Sequence, residues 1–114
     1  MQEPVAAAGD WQAVIGVDAG ATAFPARAKV GDESIVLFRS GAKYFGVERA
    51  CPHQGGSMLA AVLQGESLIR CTRHNYVFRI ANGKPVNCPG FRLTVYEVKQ
   101  EGGQLFARLV LAAG

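Results

Sequence analysis

Histidine is nearly absent from this chain. Its 114 residues include two, His53 and His74, and only three cysteines, Cys51, Cys71 and Cys88. So few cysteines, and an odd number, argue against a disulfide framework. No run of Lys and Arg appears; the 12 basic residues are scattered and give a formal charge of +3, so no nucleic-acid partner is expected. No apolar stretch approaches the about 18 residues of a membrane span, so no membrane partner is expected either. The opening MQEPVAAAGDW has neither the basic region nor the long apolar core of a secretory signal. That predicts a cytoplasmic setting with reduced thiols. Repeats and low-complexity segments are also missing.

What is present reads as one β domain. The length suits a single domain with a modest core, and 49% of the residues are hydrophobic. The 14 glycines, with Pro, Asn and Asp, punctuate the chain at the spacing of turns in an all-β protein. Expected strands are Trp11–Val17, Phe24–Val30, Ser34–Ser40 and Lys43–Glu48, then Ser67–Cys71, Tyr76–Ile80, Phe91–Lys99 and Gln104–Leu111. Pro25 suggests that the second is an edge strand. The third and fourth read as a hairpin across Gly41-Ala42, and the last two as a hairpin across EGG. A short helix is expected around Met58 to Leu63. From Ala50 to Ala61 the sequence is small, polar and loop-like.

Both histidines lie in short clusters with a cysteine. CPHQGG, residues 51–56, gives Cys51-x-His53; seventeen residues later CTRH gives Cys71-x-x-His74. Thiolate and imidazole together suit soft or borderline metals. One reading is a structural zinc site, but such sites pair Cys with Cys and His with His at wider gaps. The other is a two-iron cluster with split ligation, one iron on Cys51 and Cys71 and the other on His53 and His74.

On these residues the chain resembles the Rieske-type [2Fe–2S] proteins, from roughly Val30 to Leu109. CPHQGG is similar to the family's first ligand loop and CTRHNYVF to its second, with Phe78 at the usual aromatic position. Pro89-Gly90 sits where the family has a proline-containing loop over the cluster, and LTVYEVKQEGGQLFARL resembles its closing hairpin. The chain departs from the pattern at Asn75, where Gly is common, at Arg79, where an acidic residue is frequent, and at Thr72-Arg73.

The resemblance implies an all-β fold, a Rieske-type antiparallel β-sandwich base with a small inserted cluster-binding subdomain. The whole of 1–114 would be one Rieske domain, with that subdomain at about 50–80. It implies one [2Fe–2S] cluster per chain on Cys51, His53, Cys71 and His74, with backbone N–H groups of Gln54 to Ser57 donating to it. The implied role is a soluble one-electron carrier, a ferredoxin and not itself an enzyme. It would be monomeric in isolation, passing electrons from a flavoprotein reductase to the terminal oxygenase of an aromatic dioxygenase or monooxygenase system. At this length we expect no room for a mononuclear iron, flavin or nicotinamide domain. The alternative is a Rieske-like small subunit of a larger reductase, such as nitrite reductase.

Charge then bears on the potential. With two ferric ions, two sulfides and two thiolates the oxidised site is about neutral, two units less negative than an all-cysteine cluster, which raises the potential. Members with the highest potentials carry an extra cysteine in each loop and a Ser after the second His. Here Arg73 and Asn75 stand at those positions, which implies the lower part of the range of about −150 to +300 mV. The free ring nitrogens of the two histidines would couple the potential to pH.

Other residues read more plainly. Cys88 is expected as a small buried hydrophobe and Trp11 as a core anchor of the first strand, while Tyr76 reads equally as plain packing or as a ring stacked over the cluster or donating its hydroxyl there. Lys43 and Arg49 are expected as solvated surface. Arg73 and the mild positive surplus suit an acidic partner protein.

Overall fold

The computed structural model describes residues 8–17, 24–41, 43–49, 57–65, 67–72, 75–87, 90 and 92–110, with side chains from residue 11 onward. In chain order the strands are β1 (Ala8–Ile15), β2 (Ala26–Val30), β3 (Glu33–Ser40), β4 (Lys43–Glu48), β5 (Val62–Gln64), β6 (Leu68–Cys71), β7 (Tyr76–Arg79), β8 (Val95–Glu101) and β9 (Gln104–Val110). A 3-10 turn, Met58–Ala60, lies between β4 and β5. Strands β1-β2-β3-β4-β8-β9 form a closed antiparallel barrel, and β5-β6-β7 form a separate three-stranded sheet.

The period of two along a strand explains the layering. On β3, Ile35 and Leu37 point into the barrel, where they meet Val14, Ala28, Val30, Tyr96, Leu105 and Ala107. Val36 and Phe38 point out, yet they are equally buried, because the small sheet packs on that outer face. Burial on both faces is why SIVLF reads as an unbroken apolar run. The outer-face core joins Val36, Phe38, Phe45 and Val47 to Met58, Ile69, Cys71, Phe78 and Leu93. Phe38 and Phe45, paired across β3 and β4, stack with centroids 5.3 Å apart. Gly46 faces inward, where a β-carbon would come within 3.1 Å of the Ile35 side chain.

The all-β class and the two hairpins stand as expected, and four details differ. The base expected as a sandwich rolls shut, because β1 pairs with β9 as well as with β2; closure removes the sheet edges. Strand β2 is therefore no edge strand: it pairs on both sides, and Pro25 lies just ahead of it. The helix expected around Met58 to Leu63 is one 3-10 turn followed by β5, since Val62–Gln64 pair with β6. Trp11 is not a core anchor. It is only half-buried, and β1 turns Val14 inward, which puts Trp11 on the outer surface. There its ring carries Arg108 at 4.4 Å and Lys99 at 4.5 Å from the centroid.

Candidate functional site

Strand β6 carries Cys71 to its C-terminal end, opposite Tyr76 on β7. Alternation along β6 buries Ile69 and Cys71 and leaves Leu68 and Arg70 half-buried. Cys71 is 1% exposed, a free thiol packed in the outer-face core near the end of the small sheet. Four residues, Thr72 to Asn75, join β6 to β7 and form the second of the two Cys/His segments. The other three expected ligands, Cys51, His53 and His74, lie outside the described residues, as do Arg73, Cys88 and the Gln54 to Gly56 stretch.

The described residues flanking both segments show how each is closed at its base. The Met58 amide donates to the Arg49 carbonyl (2.9 Å), joining the two ends of the first segment. The Ser57 hydroxyl oxygen accepts from the Leu59 amide (3.2 Å) and caps the 3-10 turn that leads the chain away. The second segment is closed by the β6–β7 pairing. Thr72 Oγ1 donates to the Ala60 carbonyl (3.2 Å), tying the second segment to the exit of the first.

Asn75 explains one departure from the family pattern. Its φ is +58°, in the left-handed region, where Gly is easiest and Asn is the best tolerated substitute. Its side-chain oxygen accepts from Arg70 Nη1 (2.7 Å).

A third segment straps the second. The Val86 amide donates to the Val77 carbonyl (2.8 Å). Asn87 takes the next place along the edge of β7: its Oδ1 accepts from the Val77 amide (2.9 Å), and its Nδ2 donates to the Asn75 carbonyl (3.1 Å). Sequence reading missed Asn87. Its only signal was an Asn in the turn-rich NCPG stretch, and nothing there shows which strand it faces. Gly83 makes this fold-back possible. At φ +75° its β-carbon would overlap the Leu93 carbonyl, while its amide bonds the Arg79 carbonyl (2.8 Å) and its own carbonyl accepts from the Leu93 amide (2.9 Å).

Glu48, the last residue of β4, fixes the base of the first segment from the barrel side. Its amide donates to the Thr94 carbonyl (2.9 Å), and its Oε2 accepts from the Thr94 amide (2.6 Å). Burial pushes its carboxyl above the usual value, with the Thr94 bonds pulling the other way. Inside the barrel, burial raises the Tyr96 phenol, and the charges of Glu33 and Glu48 add to that.

Cys71 suits a cluster ligand: reduced, shielded from bulk water, and set beside two short segments tied together at their bases. Thiolate and imidazole are the donors that a mixed-ligand iron–sulfur centre takes.

Comparison with known proteins agrees. Residues 10–97 match the family model of the Rieske [2Fe-2S] domain. The chain is similar to the ferredoxin component of the alkene monooxygenase system of Xanthobacter autotrophicus, at 25% identity over 76 residues, 67% of this chain and 62% of that relative's length. Among solved structures, the ferredoxin of carbazole 1,9a-dioxygenase from Nocardioides aromaticivorans superposes with a TM-score of 0.62 at 23% identity, covering 77% of this chain and 84% of that one. A chain of the complex of reduced oxygenase and oxidised ferredoxin in carbazole 1,9a-dioxygenase gives 0.60 at 25% identity, covering 98% and 94%. With the match running through most of the barrel and the whole small sheet, this chain belongs to the Rieske [2Fe-2S] domain family, and its cofactor is a Rieske-type [2Fe–2S] cluster.

Proposed function

We propose that the protein is a one-electron carrier, a Rieske-type ferredoxin passing electrons from a flavoprotein reductase to a terminal oxygenase. The observation that carries the reading is the buried free thiol of Cys71 at the end of β6, one residue before the Thr72–Ala60 bond that ties the two segments, in a chain similar to named ferredoxin components. The solved oxygenase–ferredoxin complex supports an oxygenase as the acceptor. We assign Cys51, His53, Cys71 and His74 as the ligands, with residues 1–114 as one domain and about 50–80 as its cluster-binding part. When bound there, the cluster supplies a store for a single electron at a potential raised by its two neutral imidazoles.

The chain's own residues hold that site in shape. Cys71 is fixed by a strand and a packed core, so its sulfur is positioned with little freedom. The Arg49–Met58 bond closes the first segment at its base, the Thr72–Ala60 bond ties the second segment to the exit of the first, and the Asn87 strap holds the second against the edge of β7. A preorganised site of this kind changes little in geometry when its charge changes by one unit. No helix among the described residues is long and apolar enough to cross a membrane.

The test is low-temperature EPR of the dithionite-reduced protein, with iron and acid-labile sulfide counted on the same sample. The expected result is a rhombic signal of mixed His/Cys type, with two irons and two sulfides per chain. One zinc per chain and no signal would overturn the proposal.

A further inference from the structure

Three cations converge on one groove beside the first Cys/His segment. The groove, about 670 Å³ in volume, runs along the outer face of β2 to the residues that follow that segment. Arg27, Lys29 and Arg49 line it, with Val36 beneath and Ile15 and Leu59 at its sides; among the described residues no acidic side chain lines it. The placement follows from the strand period. Ala28 and Val30 are buried in the barrel, so Arg27 and Lys29 share the outer face, about 7 Å apart along the strand. Arg49 follows β4 directly and stands two positions before Cys51. All three side chains are exposed, and among the described residues none of them forms an ion pair. Ile15 is 63% exposed, although strand isoleucines are ordinarily covered.

Unpaired charges of one sign around an apolar patch complement a surface of the opposite charge, and raise the encounter rate with it. A second copy of this chain would bring a net charge of +3 to the same groove and be repelled. We infer that this groove receives an acidic face of the protein that accepts the electron, its carboxylates meeting Arg27, Lys29 and Arg49, and an apolar side chain meeting Ile15 and Leu59. The inference rests on the electron-carrier reading and adds to it the chemistry of the acceptor. Docking there brings the acceptor against Arg49 and Ser57, the described residues on either side of the first ligand segment.

The experiment is stopped-flow oxidation of the reduced holoprotein by plastocyanin, an acidic one-electron acceptor, at several ionic strengths. The comparison is between Arg27→Glu or Lys29→Glu in the groove and Lys43→Glu at the other end of β4. All three change the net charge equally, and Lys43 is about 16 Å along the strand from Glu48. At low salt each groove reversal should slow the reaction about fivefold, and Lys43→Glu less than about twofold. The differences should fade once the salt-screening length falls below about 5 Å. Arg27→Gln and Lys29→Gln, which remove charge without adding any, should slow it about twofold. Equal effects from the groove and from Lys43 would mean that only net charge matters, and would overturn the inference. If the reduced protein shows no mixed-ligand EPR signal, the carrier reading fails; a normal signal with equal charge effects sinks the groove alone.

Discussion

Replacing Asn87 by alanine tests how the second ligand segment is held. The substitution removes two hydrogen bonds, from the Val77 amide to Oδ1 (2.9 Å) and from Nδ2 to the Asn75 carbonyl (3.1 Å). Neither bond is sealed from solvent, so water takes up part of the loss and each contributes toward the lower end of the usual range. Together they are worth about 1 to 2 kcal/mol. For a chain of this size that lowers the melting temperature by about 4 to 8 °C. The Val86–Val77 backbone bond at 2.8 Å survives, so the third segment should stay docked while the turn at Asn75 loosens. Urea unfolding measures the first effect, and amide hydrogen exchange at Val77 the second. Asn87→Asp separates the two bonds: it keeps the acceptor for Val77 and loses the donor to Asn75. It should therefore protect the Val77 amide nearly as well as Asn does. Unchanged stability and unchanged exchange at Val77 in Asn87→Ala would refute the strap.

Three further outcomes are expected. Gly83→Ala places a methyl group on the Leu93 carbonyl at a left-handed φ; it should cost more than about 2 kcal/mol in urea unfolding, and a loss under 0.5 would contradict the geometry. Glu48 binds its proton more tightly folded than unfolded, because burial raises it above 4.5. Its contribution to stability is full below that value and is lost as pH rises through the folded value. Glu48→Gln should therefore gain on the parent as pH rises through that window, and a difference flat from pH 4 to 8 would refute the assignment. His74→Cys should keep an iron–sulfur chromophore and lower the midpoint potential in redox titration, since a thiolate adds negative charge; an unchanged potential would remove His74 from the ligand set.

Sequence reading went furthest where a local pattern has one physical meaning. The β3–β4 hairpin was visible because two β-rich runs flank Gly41-Ala42, and it forms with Ser40 opposite Lys43. The β8–β9 hairpin was visible for the same reason across EGG, with Glu101 opposite Gln104. It failed where a residue's face is set by distant partners. Trp11 is large and apolar and looks like core, but parity on β1 turns it outward to meet two cations. Val62 and Leu63 were read as the end of a short helix and instead join Gln64 in a strand, because β6 offers its edge.

By itself the sequence determined the chemistry: two Cys/His pairs at a split spacing, a β-rich chain to carry them, and a surplus of positive charge. These are properties of residue type and short-range order, which no folding changes. Only the tertiary structure decided which surfaces meet. Closure of the barrel through β1 and β9 joins residues a whole chain length apart, and the apolar run of β3 becomes two cores because the small sheet covers its outer face. The Asn87 strap and the groove of Arg27, Lys29 and Arg49 arise in the same way, from contacts between segments whose separation in sequence carries no mark of their nearness in space.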